Sequence, residues 1–287
     1  MTGRRWVVAA AAALVVLVLG VGVVLVVRDG GGSASSDAST PPGCGPLEAP
    51  DELAVEVVGT RLHAADAYTQ GFVVVGDRLY ESTGRVGEST LRELDPDSGD
   101  ELRRIELPGD VFGEGLAATS DGRLVQLTWT SGVAFVWDLD SLEQVDELRY
   151  DGEGWGLTTL DDGTLLMSDG SDALTRRDPD DFSVLDRQRV RRAGGDADLL
   201  NELEWDGESL WANRYQTDEL LRIDPTCSVV TGVADLSELR LDAEQAAEAS
   251  GEPIDVVNGV AHLPGTDRYL LTGKWWPTTY EVRIVDA

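Results

Sequence analysis

The sequence Phe112-Gly113-Glu114-Gly115 places a carboxylate between two glycines, directly after an aromatic residue. It leads into a short apolar segment at 116–119, and a Ser-Asp-Gly turn at 120–122 separates this from a second segment that ends at Thr128-Trp129. Short apolar segments on either side of such a turn predict two antiparallel strands. Related strand-turn-strand units recur along the chain, and each brings a different polar or aromatic residue to the place of Glu114.

Two sequence patterns repeat with similar spacing. The first is an aspartate that opens a turn between two strands; it occurs at Asp95, Asp138, Asp178 and Asp224, which lie 43, 40 and 46 residues apart. The second is a polar or aromatic residue at the start of a strand; it occurs at Gln70, Glu114, Trp155, Asn201 and Asn258. A unit of this length holds about four strands, which is the size of a β-propeller blade.

The five strand starts therefore predict an all-β, five-bladed β-propeller over residues 51–287. The final unit ends after three strands, and the strand-like segment 53–58 precedes the first full unit. We expect this N-terminal strand to complete the last blade and close the ring. The last two strand starts, Asn201 and Asn258, lie 57 residues apart, which is longer than the other repeats and leaves room for an insertion at 237–254. The Ala- and Glu-rich middle of this insertion predicts a short helix.

Strand direction brings two sets of residues to one face of the predicted propeller. In a blade the first strand runs along the central channel and the second runs back, so the start of one lies beside the end of the other. The set before the first strands is Tyr68, Gln70, Phe112, Glu114, Trp155, Asn201 and Asn258. The set after the second strands is Thr83, Trp129, Asp169, Tyr215 and Lys274.

Together these residues predict a pocket with aromatic walls and a few polar groups, the usual form of a small-ligand site. An apolar enclosure would raise the pKa of Glu114, which suits a group that takes up and returns a proton. The alternative is that the aromatic residues only pack between blades. The two histidines, His63 and His262, lack metal-ligand spacing, and we expect them to be structural or superficial.

The composition limits the classes of partner. The chain of 287 residues carries 53 acidic and 23 basic residues, a formal charge of −30, and 42% of its residues are hydrophobic. So acidic a surface repels phosphate backbones, and nucleic-acid binding is therefore not expected. The apolar fraction is enough for a core, and the charge favours a soluble domain, which we expect to be a monomer.

The N-terminal region predicts a membrane anchor. Residues 6–27 form an uninterrupted apolar run of about 33 Å in helical form, preceded by Arg4 and Arg5 in a short N-terminus, 1–5, that we expect to be cytoplasmic. The Gly-, Ser- and Pro-rich stretch at 28–50 is typical of a flexible tether. We expect a single-pass protein of the cell membrane with its main domain outside the cytoplasm, and cleavage with secretion is the alternative.

The chain has two cysteines, Cys44 at the end of the tether and Cys227 on the outer turn of the fourth predicted blade. In an oxidising compartment such an isolated pair predicts a disulfide. Neither cysteine has neighbouring metal ligands. The expected bridge holds the start of the domain against its body.

Motifs in every predicted blade resemble one known family. They are YTQG at 68–71, YESTG at 80–84, FGEG at 112–115, LTW at 127–129, GEGWGLT at 152–158, MSDGS at 167–171, LNELE at 200–204, WAN at 211–213, NG at 258–259 and TGK at 272–274. In this order they resemble the plant-type glutaminyl-peptide cyclotransferases, or glutamine cyclotransferases. The resemblance extends over residues 53–285 and implies a five-bladed propeller with its active site at one mouth of the channel.

The resemblance also implies a reaction: cyclisation of the N-terminal glutamine of a peptide to pyroglutamate with release of ammonia. Glu114 matches the family's acid/base glutamate. The residues that match its polar site are Gln70, Asn201 and Lys274, and those that match its aromatic pocket are Tyr68, Phe112, Trp129 and Trp155. The remaining expected substrate-binding residues are Asp169, Tyr215 and Asn258. Family members often carry Trp at the place of Tyr215, which leaves the specificity open.

Two other functions remain open on the sequence. A non-catalytic propeller could display its mouth as a binding surface outside the cell. A metal-dependent, lactonase-like hydrolase would need several oxygen ligands around one ion, for which Glu114, Asn201 and Asp169 are the available residues. The aromatic residues and the lysine favour the cyclotransferase, which implies no cofactor.

Overall fold

The computed structural model describes residues 43–248, 251 and 253–287. In this part of the chain the secondary structure is almost entirely β, with twenty strands and one α-helix, which confirms the predicted all-β class. The predicted anchor at 6–27 and most of the tether lie outside the described residues. No helix within the described residues has the length and apolar character that crossing a membrane requires.

Three sheets are consecutive antiparallel meanders of four strands each. The first contains β2 (Thr69–Val75), β3 (Arg78–Thr83), β4 (Thr90–Leu94) and β5 (Glu101–Glu106). The second contains β6 (Gly113–Ala118), β7 (Arg123–Thr128), β8 (Val133–Asp138) and β9 (Gln144–Arg149). The third contains β10 (Leu157–Thr159), β11 (Leu165–Ser168), β12 (Ala173–Arg177) and β13 (Val184–Arg189). The predicted unit of four strands is thus present.

The fourth sheet has eight strands: β1 (Asp51–Leu62), β14 (Leu200–Trp205), β15 (Leu210–Arg214), β16 (Glu219–Asp224), β17 (Val229–Asp235), β18 (Val257–His262), β19 (Arg268–Gly273) and β20 (Thr278–Asp286). Their order in the sheet is β14-β15-β16-β17-β1-β20-β19-β18. The parallel pairing of β1 with β17 covers only Asp51–Leu53. This short pairing joins two meanders, so the hydrogen-bonded sheets in the described residues number four, where five separate blades were predicted.

Strand β1 pairs antiparallel with β20, the last strand of the chain, from Leu53 to Leu62. The predicted pairing of the N-terminal strand with the final unit is therefore confirmed. The strand extends beyond the predicted 53–58 and carries an irregularity between Val57 and Gly59. Because residues far apart in sequence share one sheet, the two ends of the domain are held together.

The first strands of the repeats contact one another in a closed cycle, β2 with β6, β6 with β10, β10 with β14, β14 with β18 and β18 with β2. Glycine is required where these strands approach closely. A Cβ atom on Gly115 would lie 2.5 Å from the backbone nitrogen of Leu157, and one on Gly156 would lie 2.0 Å from the carbonyl oxygen of Asn201. The glycine that follows several repeat residues thus has a steric cause.

The core consists of layers between neighbouring sheets. Tyr80 on β3 packs in one cluster with Leu124, Phe135 and Trp137 of the following sheet. The insertion contains the predicted helix, α1 (Ser237–Glu248). The helix begins at Ser237, before the Ala- and Glu-rich middle of the insertion. Its buried residue Leu239 packs in a cluster that contains Trp276, and the Asp235 carboxylate accepts a hydrogen bond from the Ser237 amide (2.9 Å) at its start.

The predicted disulfide between Cys44 and Cys227 is present, with its Cα atoms 5.7 Å apart. It fixes the segment before β1 to the turn between β16 and β17.

Candidate active site

A cavity of about 230 Å³ opens where the first strands begin and the second strands end. Its lining residues are Tyr68, Gln70, Phe112, Glu114, Trp129, Trp155, Asn201, Tyr215 and Lys274. All nine belong to the two sets that strand direction predicted. The structure therefore brings together residues from all the repeats at one end of the strands.

Irregular pairing marks the first strands at the cavity. The register shifts between Thr69 and Gly71 around Gln70, between Gly113 and Leu116 around Glu114, and between Leu200 and Leu203 around Asn201. A β-bulge leaves the extra residue unpaired and changes the direction of its side chain. These bulges direct the side chains of Gln70, Glu114 and Asn201 toward the cavity.

Glu114 is the carboxylate of the cavity and is 5% exposed. Burial raises its pKa well above the usual range; the Lys274 ammonium opposes this shift and the Glu153 carboxylate adds to it. Its Oε1 accepts a hydrogen bond from Gln70 Nε2 (3.2 Å). The group therefore holds its proton to a higher pH than an ordinary glutamate does, and it can exchange that proton with a bound molecule.

A chain of amides orients Gln70. Asn258 Nδ2 donates to the Thr69 carbonyl oxygen (3.0 Å) and to Gln70 Oε1 (3.4 Å). With its oxygen occupied in this way, Gln70 turns its amino group toward Glu114. Asn258, expected to bind substrate, does not line the cavity and lies behind Gln70.

Asn201 offers a free acceptor. Its Oδ1 is buried and receives no hydrogen bond from the described residues. A buried amide oxygen without a donor is costly, about 1–3 kcal/mol, unless a ligand or water supplies one. Because Asn201 lines the cavity, an amino or amide group of a bound molecule would satisfy it.

Lys274 is the cation of the cavity and is 3% exposed. Its Nζ lies 4.9 Å from the ring centre of Tyr68 and 5.0 Å from that of Tyr215, distances at which an ammonium group is attracted to an aromatic face. Burial lowers its pKa, and the charges of Glu114 and Asp255 oppose this. A weakly solvated cation thus faces the same cavity as the carboxylate.

The segment that carries Lys274 is supported by a buried charge pair. His63 Nδ1 lies 2.6 Å from the Trp276 carbonyl oxygen, and its Nε2 lies 2.9 Å from Glu81 Oε1. Burial alone would lower the pKa of His63, but the charge and hydrogen bond of Glu81 raise it above its ordinary value. His63, expected to be structural or superficial, is a buried structural residue.

Aromatic rings pack edge to face around the mouth. Ring centres are 6.1 Å apart for Tyr68 and Phe112, 5.9 Å for Phe112 and Trp129, and 5.3 Å for Trp155 and Tyr215. Such pairs restrict the motion of each ring. The result is a rigid apolar wall around two opposite charges.

Asp169, expected to bind substrate, does not line the cavity. Its Oδ1 accepts a hydrogen bond from the Ser171 amide (3.1 Å) and its Oδ2 accepts one from Arg187 (2.6 Å). The carboxylate is therefore turned to its own loop and to β13. Within the described residues no three His, Cys, Asp or Glu side chains are grouped as metal ligands.

Two neighbours of the cavity were missed by sequence reasoning. Glu153 Oε2 accepts hydrogen bonds from the indole nitrogens of Trp129 (2.7 Å) and Trp155 (2.9 Å). The centre of the Trp275 ring lies 4.7 Å from the centre of the Tyr68 ring. The sequence indicates them only through their closeness to predicted site residues: Glu153 lies two residues before Trp155, and Trp275 directly follows Lys274.

Comparisons with known proteins decide the family. The family model described as "Glutamine cyclotransferase" matches residues 26–284. The chain belongs to the glutamine cyclotransferase family. It is 36% identical over 235 residues to a glutaminyl-peptide cyclotransferase of Arabidopsis thaliana, an alignment that covers 81% of this chain and 72% of that protein.

A solved structure agrees with this family. The crystal structure of Myxococcus xanthus glutaminyl cyclase superposes with a TM-score of 0.76 at 37% identity, covering 83% of this chain and 99% of that one. The family predicted from the sequence motifs is thus confirmed. The fold is all-β and propeller-like.

Proposed function

We propose that this chain is a glutaminyl-peptide cyclotransferase, which converts the N-terminal glutamine of peptides and proteins to pyroglutamate and releases ammonia. Its family and its relatives support this reaction. The observation that carries the proposal is the cavity in which buried Glu114, with its raised pKa, faces Lys274 between aromatic walls. The cavity volume suits a single side chain and its terminal amine.

Glu114 is the general acid/base in this proposal. The substrate's α-amine attacks the carbon of its own side-chain amide, forming the ring C–N bond and an oxyanion. Glu114 takes a proton from the attacking amine and returns it to the departing nitrogen, so that the old C–N bond breaks and ammonia leaves. The atoms balance without any co-reactant, and no enzyme nucleophile is needed.

The other polar residues assist this transfer. Lys274 supplies the charge that stabilises the developing oxyanion, a role worth about 3–4 kcal/mol in comparable sites. The free oxygen of Asn201 accepts a hydrogen bond from a substrate amino group, and Gln70 holds Glu114 in place. The substrate-binding wall of Tyr68, Phe112, Trp129, Trp155 and Tyr215 holds the glutamine side chain folded for ring closure.

We further infer that the domain is a five-bladed propeller. The support is the closed cycle of contacts among the first strands β2, β6, β10, β14 and β18. In this interpretation the eight-stranded sheet comprises two blades linked by the three-residue pairing of β1 and β17. Strand β1 is then the outer strand of the fifth blade.

We also propose that the domain is a monomer held outside the cytoplasm by the apolar segment 6–27, with secretion as the alternative. The apolar run after Arg4 and Arg5 supports an anchor with its N-terminus inside. The disulfide supports an oxidising compartment. The tether would then connect the apolar segment to the domain only up to Cys44, because the disulfide fixes that residue to the domain.

The reaction is tested with the purified full-length chain and a peptide that begins with Gln. We expect stoichiometric ammonia and pyroglutamyl peptide, and no product from the same peptide with an acetylated N-terminus, because the α-amine is the nucleophile. Chelator treatment serves to detect any metal requirement. Folded protein that turns over no Gln peptide would contradict the proposal and favour a binding surface.

A further inference from the structure

Glu153 lies at the mouth of the cavity, in the loop between β9 and β10. Its Oε2 receives both indole hydrogen bonds, from Trp129 and Trp155. Two rings that line the cavity thus fix the position of this carboxylate. Trp155 belongs to the same loop as Glu153, and Trp129 lies in the connection between β7 and β8, so two different repeats set the orientation of the carboxylate.

The charge of Glu153 is not neutralised. Among the described residues no Lys, Arg or His side chain forms an ion pair with it, and its Oε1 receives no hydrogen bond. Arg149, four residues before Glu153 in the chain, pairs with Glu147, and Arg187 pairs with Asp169. A solvent-exposed, prepositioned carboxylate oxygen therefore remains free at the mouth.

The adjacent indole adds a second feature. Trp129 is 41% exposed although it lines the cavity, so part of its ring faces the solvent beside Glu153. A carboxylate next to an exposed indole face suits a guanidinium or ammonium group, which is attracted by both. A neutral or anionic group gains neither interaction.

We propose that Glu153 is a specificity-determining residue that favours peptides with Arg or Lys directly after the N-terminal glutamine. This inference rests on the proposed cyclotransferase function. When the glutamine occupies the cavity, the next residue leaves through the mouth and passes Trp129 and Glu153. The carboxylate attracts a cationic side chain there and repels an acidic one.

The test uses three peptides that differ only at the second position, Gln-Arg, Gln-Ala and Gln-Glu, with the full-length chain. We expect kcat/KM to fall in that order by about three- to fivefold at each step, mainly through KM. Raising the ionic strength to about 0.5 M should reduce these ratios, because the charges are exposed to solvent.

Two variants test whether the preference depends on the charge of Glu153. Glu153→Gln keeps an oxygen that can accept the indole hydrogen bonds but removes the charge, so the three peptides should become equal within about twofold. Glu208→Gln removes the same charge from an exposed turn at the opposite end of the strands and should keep the wild-type order. Ratios measured on one variant are unaffected by a general loss of activity.

The inference is overturned if the wild-type chain cyclises the three peptides equally well, or if Glu153→Gln retains their order. Failure of the proposed function has a different signature, since then none of the three peptides releases ammonia.

Discussion

A carboxylate and an ammonium group share one cavity, and each changes the titration of the other. Burial raises the pKa of Glu114 while Lys274 lowers it, and burial lowers the pKa of Lys274 while Glu114 raises it. A general base must be ionised, so activity should rise with pH through a range above that of an ordinary glutamate. It should fall again as Lys274 loses its proton, below the range of an ordinary lysine.

Lys274→Met tests this coupling. Loss of the cation removes the effect that lowers the pKa of Glu114, so the acidic limb of the profile of kcat/KM against pH should move to higher pH. The basic limb due to Lys274 should disappear, and kcat/KM at its optimum should fall by about 10²–10³. An acidic limb that stays in place or moves to lower pH would show that the two groups are not coupled.

The positions of the strand ends could be predicted from the sequence, whereas the directions of individual side chains could not. Chain direction places strand starts beside strand ends, and this predicted twelve residues at one face, of which nine line the cavity. Thr83, Asp169 and Asn258 do not line it. The side chain of Asp169 occupies an equivalent position, but its Ser171 and Arg187 partners turn it away. Bulges around Gln70 and Asn258 likewise depend on hydrogen-bond register, which periodicity does not contain.

The position of Glu153 at the cavity could not be predicted from the sequence either. The motif at 152–158 supported the family resemblance but assigned no role to this carboxylate, because its position depends on two indole groups from different repeats. By contrast, the recurring glycines were visible in the sequence, and the close approach of neighbouring first strands explains them.

Gly156→Ala should therefore destabilise the domain. Its Cβ would meet the backbone oxygen of Asn201 at 2.0 Å, and neither first strand can move without disturbing the next. We expect a loss of about 3 kcal/mol or more in the free energy of unfolding measured with denaturant. Gly109→Ala is the control, since no atom lies within 4 Å of its added Cβ. Equal stability of the two variants would refute the steric explanation.

The domain as a whole is closed at two places. Strand β1 joins the last strand, and the Cys44–Cys227 disulfide links positions 183 residues apart. Strand β14 begins and β15 ends at the cavity, so the turn after β16 that carries Cys227 lies at the other end of the strands. The bridge should therefore affect stability and leave the chemistry unchanged.

Replacing both cysteines by serine should lower the free energy of unfolding by about 2–5 kcal/mol, because the bridge restricts the unfolded chain. For a domain of this size the melting temperature should fall by about 5–15 °C. We expect kcat/KM to be unchanged at temperatures well below the transition. Calorimetry and the peptide assay together check this, and an unchanged melting temperature or a loss of activity in the folded variant would contradict it.

In the proposed mechanism Glu114 transfers the proton between the amine and the departing ammonia. The most direct measurement is ammonia release from a Gln peptide by Glu114→Gln, compared with the wild-type chain and with Glu208→Gln. We expect the Glu114 variant to fold normally and to lose at least about 10²–10³ in kcat, with Glu208→Gln fully active. A folded Glu114→Gln variant that retains kcat within about tenfold of wild type would contradict the mechanism.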